Sequence, residues 1–217
     1  MIILDNVKKS FGDVDVLKGL NLELKSQEQC VLLGSSGSGK STLLYLLGAL
    51  DHPSSGIVSV FDEVLNDMND ESLATFRNQN IGFVFQFHFL LPSISCKENI
   101  FLPVKISGKE VAQYEELVSM LAKFLGVTHC LKKYPYQVSG GEQQRINIIR
   151  ALILKPKLIL CDEPTGNLDS ENSTKVIGLL QELAKEFAST LVVVTHDHQI
   201  AKSFQRKITI EDGRLIS

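Results

Sequence analysis

An α/β fold is predicted for this chain, with a mostly parallel sheet, an N-terminal antiparallel β-layer and an inserted α-helical segment. Three observations carry that prediction. Strand-length apolar runs alternate with helical patterns over residues 158–210, a glycine-rich loop joins one such run to a helix at residues 34–42, and the stretch from residue 87 to about 154 reads as helices.

Residues 2–9 and 20–25 alternate or cluster apolar side chains as strands do, and both precede the glycine-rich loop, hence the β-layer. Cys30 to Leu33 is a short buried strand, and Ser41 to Leu50 an apolar helix. Residues 56–61 make another strand. Asn69-Asp70-Glu71-Ser72, followed by Leu73, Phe76 and Arg77, opens a helix with an acidic first turn, and Ile81 to Phe85 returns to strand. In the helical stretch, residues 110–125 carry Val111, Tyr114, Leu117, Val118, Leu121 and Leu125 at helical spacing, and residues 141–154 run out of a Ser-Gly-Gly turn. Strand 158–162, helix 171–187, strand 190–194, helix 197–204 and strand 207–210 complete the parallel sheet. One domain over 1–217 follows, with 1–86 and 155–217 as the α/β core and β-layer and 87–154 as the helical insertion; no linker is long enough to separate independent domains.

Composition excludes several classes. The 217 residues are 22% charged and 44% hydrophobic with a net charge of −3, so there is no electrostatic case for nucleic acid, and Lys8-Lys9 and Lys132-Lys133 are isolated pairs. No run approaches the roughly 18 apolar residues of a membrane span. Asp5 and Lys8-Lys9 follow only four apolar residues at the N-terminus, which is not a signal peptide, and a cytosolic location is expected. Cys30, Cys96, Cys130 and Cys161 are scattered with no C-x-x-C pair, which argues against a zinc site and a disulfide framework. They read as small buried hydrophobes, including Cys161, whose neighbours Leu158-Ile159-Leu160 outweigh the reactive-thiol reading.

Gly34-Ser35-Ser36-Gly37-Ser38-Gly39-Lys40-Ser41-Thr42 has the spacing of a phosphate-binding loop: glycine, four residues, glycine, lysine, serine. Glycines let the backbone curl and turn successive N–H groups inward, so an anion sits in the nest and on the N-terminus of the next helix. Lys40 then reaches β- and γ-phosphates as a point charge, and the Ser41 hydroxyl is placed for Mg²⁺. The competing reading is a flexible Gly/Ser linker; strand and helix flanks speak against it.

A second constellation sits at predicted strand ends. Leu158-Ile159-Leu160-Cys161 leads into Asp162 and Glu163. An acid at the carboxyl tip of a buried strand can hold Mg²⁺ or a metal-bound water, and a following glutamate can take a proton from an attacking water. His196 follows Leu191-Val192-Val193-Val194-Thr195 at another tip, where it can contact a γ-phosphate or the water and hold Glu163; a merely structural histidine is the alternative. Asp197 and His198 read as helix caps and surface. Phe11 is a core aromatic or a platform for an adenine ring, on its own an even choice.

Val138-Ser139-Gly140-Gly141-Glu142-Gln143-Gln144-Arg145 resembles the signature sequence of the ATP-binding cassette ATPases, with Val138 and Glu142 in place of the commoner Leu and Gln. Gln86 falls at that family's Q-loop, Gly166-Asn167-Leu168-Asp169 at its D-loop and Phe11 at its adenine-stacking A-loop, in the family's order along essentially the whole chain. The resemblance implies a RecA-like P-loop NTPase fold, ATP and Mg²⁺ as cofactors, and ATP hydrolysis coupled to transport. It also implies Gln86 beside Mg²⁺ and nucleotide, and Ser139, Gly140, Gly141 and Glu142 at the opposite subunit's ATP in a head-to-tail homodimer. Integral membrane permease subunits are the implied partners, at the cytoplasmic face of the inner membrane. Glu163-Pro164-Thr165-Gly166-Asn167-Leu168-Asp169 resembles the branch containing lipoprotein-releasing, macrolide-exporting and division-associated ATPases. The stretches 34–51, 76–92 and 194–197 are most similar to the lipoprotein-releasing ones; the export and division roles stay open as alternatives. The macrolide exporter carries a fused membrane part, which is not expected here because Ser217 comes just after the last strand. Gln86 and the apolar segment Phe87 to Ile94 are the expected groove for a permease helix, or else core.

Overall fold

The computed structural model describes residues 1–166 and 170–216, the side chains of Ser170 and Glu171 excepted; Asn167, Leu168 and Asp169 of the expected D-loop lie outside the described residues, as does Ser217. Two sheets form the frame. In the antiparallel layer, β1 (Ile2–Phe11) pairs with β2 (Val14–Leu24) on one side and with β4 (Ser55–Val60) on the other, and β5 (Glu63–Val64) adds to β4. The larger sheet has the order β10-β9-β3-β8-β7-β6, with β3 (Gln29–Leu33), β6 (Ile81–Val84), β7 (Leu158–Asp162), β8 (Thr190–Val194) and β9 (Arg206–Glu211) parallel and β10 (Arg214–Leu215) antiparallel at the edge.

β7 and β8 are buried along their whole length, as central parallel strands covered on both faces must be. Their alternation divides the core. Leu158, Leu160, Val192 and Val194 face the β-layer and α1 (Lys40–Leu47), while Ile159, Cys161, Leu191 and Val193 face α3 (Cys96–Ile106), α5 (Gly140–Leu152) and α6 (Ser170–Glu186). The helical stretch therefore shares a core with one face of the sheet. α2 (Asp70–Asn80) precedes β6, with its N-cap Asn69 accepting from the Ser72 N–H at 2.9 Å. α4 (Glu115–Phe124) follows a short 3₁₀ turn at 111–114, and α7 (His198–Lys202) starts at Asp197, which accepts from the Gln199 N–H at 2.7 Å.

Two elements differ from their predicted bounds for local reasons. β1 and β2 run on to a hairpin at Gly12-Asp13, because register shifts between Leu4 and Val7 and again before Ser10 disturb the alternation that would have marked Val14 to Gly19 as strand. α1 stops at Leu47: Ala49 takes φ 54°, and Leu50 N–H returns to the Tyr45 carbonyl at 2.9 Å, a left-handed helix end.

Candidate nucleotide site

Strands β3, β7 and β8 all end, at their carboxyl tips, on the same side of the sheet. β3 runs into the glycine-rich loop. Gly34, Gly37 and Gly39 take φ of 156°, 79° and 103°, and Gly39 caps α1 from the left-handed region. Ser35, Ser36 and Gly37 form an exposed rim, whereas Ser38 and Gly39 are buried. The loop is braced from outside: Gly213 N–H donates to the Ser38 carbonyl at 3.2 Å, and Lys18 N–H to the Gly213 carbonyl at 2.8 Å, which ties β2 and the β9–β10 turn to the nest. Lys40 Nζ donates to the Gly34 and Ser35 carbonyls at 3.0 and 2.7 Å, setting its charge across the loop.

β7 delivers the acids. Ser41 Oγ donates to Asp162 Oδ1 at 3.2 Å. Burial pushes the Asp162 carboxyl up, opposed by the Ser41 hydrogen bond and the Lys40 charge and reinforced by Glu163. Glu163 leaves the strand at φ 45°, so its side chain turns back toward β8, where Thr195 Oγ1 donates to Oε2 at 3.1 Å and His196 Nδ1 meets Oε1 at 2.8 Å. The imidazole is otherwise open, with 78% of its side chain exposed.

The loop fits a polyphosphate on its own geometry. A Cβ at Gly34 would collide with the Ile210 carbonyl oxygen and stand 2.6 Å from Ser38 Oγ, so only glycine leaves the cradle clear. Ser38 Oγ is itself buried with no partner among the described residues. Ser41 and Asp162 offer adjoining hard oxygen donors, the set that suits Mg²⁺.

Other predicted residues are placed by their own elements. Gln86 is exposed beyond the end of β6, which borders β7, and its Nε2 lies 3.4 Å from where a Cβ on Gly166 would be. Phe11 is 53% exposed at the end of β1, with Lys9 Nζ 4.8 Å from its ring centroid, which removes the core reading. Ser139 caps α5: it accepts from the Glu142 N–H, and Glu142 Oε2 takes the Ser139 N–H and Oγ at 2.7 and 2.9 Å. Those bonds and His129 hold the Glu142 carboxyl down at about 2. Gly140 and Thr42 are, respectively, exposed and partly buried, and Gly141 is partly buried. All four cysteines are free and buried, and burial pushes the Cys161 thiol far above its ordinary range, against a reactive role.

Two residues went unpredicted. Thr195 reads in sequence as the last residue of an apolar strand. Gln144 sits inside α5, yet its Nε2 donates to the Pro164 carbonyl at 2.7 Å and its Oε1 meets His88 Nδ1 at 2.6 Å. Helical spacing, which puts Gln144 one turn before Ile148 on the same face, was the available signal.

A glycine nest at one strand tip with two acids and a threonine–histidine pair at its neighbours defines a phosphate-loop nucleoside triphosphatase. The chain belongs to the ABC transporter family, whose profile matches residues 17–166, and it is an ATP-hydrolysing cassette of that family. It is 44% identical over 211 residues to the lipoprotein-releasing system ATP-binding protein LolD of Cytophaga hutchinsonii, covering 97% of this chain and 96% of that one. To the LolD of Bacteroides thetaiotaomicron it is 41% identical over 215 residues, 99% of each chain. Among solved structures, the dimeric MJ0796, a bacterial ABC transporter cassette, superposes with a TM-score of 0.94 at 38% identity over 100% of this chain and 97% of that one. A post-hydrolysis state of MJ0796 bound to ADP and Pi gives 0.93 at 37%.

Proposed function

We propose that this chain is the ATPase subunit of a lipoprotein-releasing ABC transporter, working at the cytoplasmic face of the inner membrane with separate permease subunits. The observation that carries the hydrolytic part is the pairing of Glu163 with both Thr195 and His196 beside the Ser41–Asp162 pair. The cargo is taken from the name of the relatives at 41–45% identity, which favours it over the export and division roles.

In this reading Gly34 to Thr42 wrap the ATP phosphates, Lys40 neutralises the β- and γ-phosphates, and Phe11 stacks on the adenine. Ser41, Asp162 and Gln86 hold Mg²⁺, which shields phosphate charge when bound. Glu163 accepts the proton of the attacking water, and Thr195 and His196 fix its carboxylate. Each chain presents one phosphate loop and one Ser139-Gly140-Gly141 turn, so two copies close head to tail around two ATPs. Glu142 acts on the partner's ATP through the turn it braces. Residues 1–86 and 155–217 are the nucleotide-binding core, and 87–154 the helical segment carrying the signature. An apolar groove of about 520 Å³ lined by Phe85, Phe89, Leu102, Ile106 and Leu154 is where a permease helix docks. Phe89 in its lining is exposed, as are Phe87 and Leu91 of the same segment, and among the described residues no helix is long and apolar enough to cross a membrane.

The test is reconstitution with the native permease subunits in liposomes containing an acylated lipoprotein. ATP-dependent release of the lipoprotein is expected, and hydrolysis without release would overturn the cargo assignment.

A further inference from the structure

We propose that His129 Nε2, Cys130 Sγ and Glu142 Oε1 form a binding site for a borderline-soft divalent cation of the Zn²⁺ class, at the foot of the turn that presents Ser139. These three ligand atoms all lie within 4.8 Å of one another, the one such cluster of histidine, cysteine and acidic groups among the described residues. His129 Nε2 is 2.8 Å from Glu142 Oε1 and 3.3 Å from Cys130 Sγ. Tetrahedral zinc, with bonds of about 2.0–2.3 Å to nitrogen, oxygen and sulfur, sets its ligands roughly 3.3–3.7 Å apart. The two short separations are therefore within about half an ångström of a coordination face, and the Cys130–Glu142 pair, within 4.8 Å, completes it by side-chain adjustment.

The trio is held in place by its surroundings. Cys130 is fully buried in a 3₁₀ turn, its N–H donating to the Val127 carbonyl at 2.9 Å and its carbonyl accepting from the Lys133 N–H at 2.9 Å. Glu142 divides its oxygens. Oε2 is fixed by the Ser139 N–H and hydroxyl, which leaves Oε1 aimed at His129 and supplies the outer hydrogen bonds that orient a carboxylate ligand. His129 is 58% exposed, which gives an entry path and leaves the fourth position to water. On binding, the proton that His129 Nε2 gives to Glu142 moves to Nδ1, which leaves Nε2 free to ligate, the Cys130 thiol proton leaves to solvent, and the Ser139 cap stays intact. Sulfur and imidazole donors exclude Mg²⁺ from this position, so it is chemically distinct from the Ser41–Asp162 pair. Sequence spacing hides the cluster, because Glu142 comes 12 residues after Cys130 and is brought to it by the helix cap.

The test is a Co²⁺ titration of the nucleotide-free full chain followed by absorption. One equivalent per chain with a thiolate-to-cobalt charge-transfer band is expected, displaced by Zn²⁺. Both Cys130→Ser and His129→Gln should lose the band and weaken Zn²⁺ binding at least 10-fold; His129, being exposed, decides the matter should Cys130→Ser not fold. Zn²⁺ should also raise Tm in the wild type and not in the variants. Absence of the band, its survival in His129→Gln, or equal Zn²⁺ affinity in all three proteins would overturn the proposal.

Discussion

The Gln144 side-chain amide donates to the Pro164 carbonyl at 2.7 Å from a position only 2% exposed, tying the middle of α5 to the residue after Glu163. A carbonyl can only accept, so Gln144 Oε1 is the atom facing His88, and His88 Nδ1 carries the proton. Burial lowers the pKa of that histidine, which makes it a neutral Nδ1–H donor at pH 7. Gln144→Leu strands both partners. A buried group left unpaired costs about 1–3 kcal/mol, which in a chain of this size lowers Tm by roughly 2–12 °C. Thermal unfolding and turnover should both suffer while ATP affinity holds; an unchanged Tm would show that Gln144 is not the tie.

The fold was legible where periodicity and length agree. The fully buried β7 and β8 read as unbroken apolar runs, and the glycine spacing fixed the loop on its own. What could not be read depends on contacts between distant segments. Thr195 and Gln144 carry their meaning only through Glu163 and Pro164, which lie 32 and 20 residues away. The signature resemblance places Glu142 at the opposite subunit's ATP, and nothing in the sequence announces that both its oxygens are engaged within the chain by Ser139 and His129. The β1–β2 hairpin was shortened in prediction because bulges break period-two alternation.

Glu163→Gln retains the side chain's shape but removes the proposed base. Hydrolysis should fall by about 10²-fold or more, with ATP affinity kept and an ATP-bound dimer accumulating on size exclusion. Thr195→Val keeps the base and deletes the Oε2 hydrogen bond, so its loss should be smaller, about tenfold, and confined to kcat. Normal turnover in Glu163→Gln would remove this residue from the base role.

Gly34→Ala places a methyl against the Ile210 carbonyl oxygen and Ser38 Oγ. The collision is with backbone, which cannot swing aside, so the loop must shift. A cost of about 1–3 kcal/mol in urea unfolding and loss of ATP binding by equilibrium dialysis are expected. Retention of wild-type affinity would mean that the nest is not the phosphate cradle.

Glu142 supplies a pH signature. Its carboxyl is held at about 2, chiefly by the Ser139 N–H and hydroxyl, against an ordinary value of 4.5. A depressed acid contributes stability that is present above its unfolded value and lost as pH falls through its folded one. Glu142→Gln keeps a capping-box side chain without the charge. The stability gap between wild type and variant should therefore be full above pH 4.5 and shrink as pH drops toward 2, measured by urea unfolding at several pH values. A gap independent of pH would remove the ionised cap.

Gly140→Asp separates folding from assembly. Gly140 is exposed in the first turn of α5, where a Cβ meets nothing within 4 Å. An aspartate at a helix N-terminus stabilises the helix by about 0.3–1 kcal/mol, so the monomer should fold normally or slightly better. In the proposed head-to-tail pair the same carboxylate would face the partner's terminal phosphate, and like charges at a few ångströms in a poorly solvated interface repel strongly. Monomer ATP binding should be unchanged while ATP-driven dimerisation and hydrolysis are lost together, read by light scattering and phosphate release on one sample. A variant that still dimerises and hydrolyses ATP would place the signature turn away from the shared nucleotide, and the head-to-tail arrangement would fall with it.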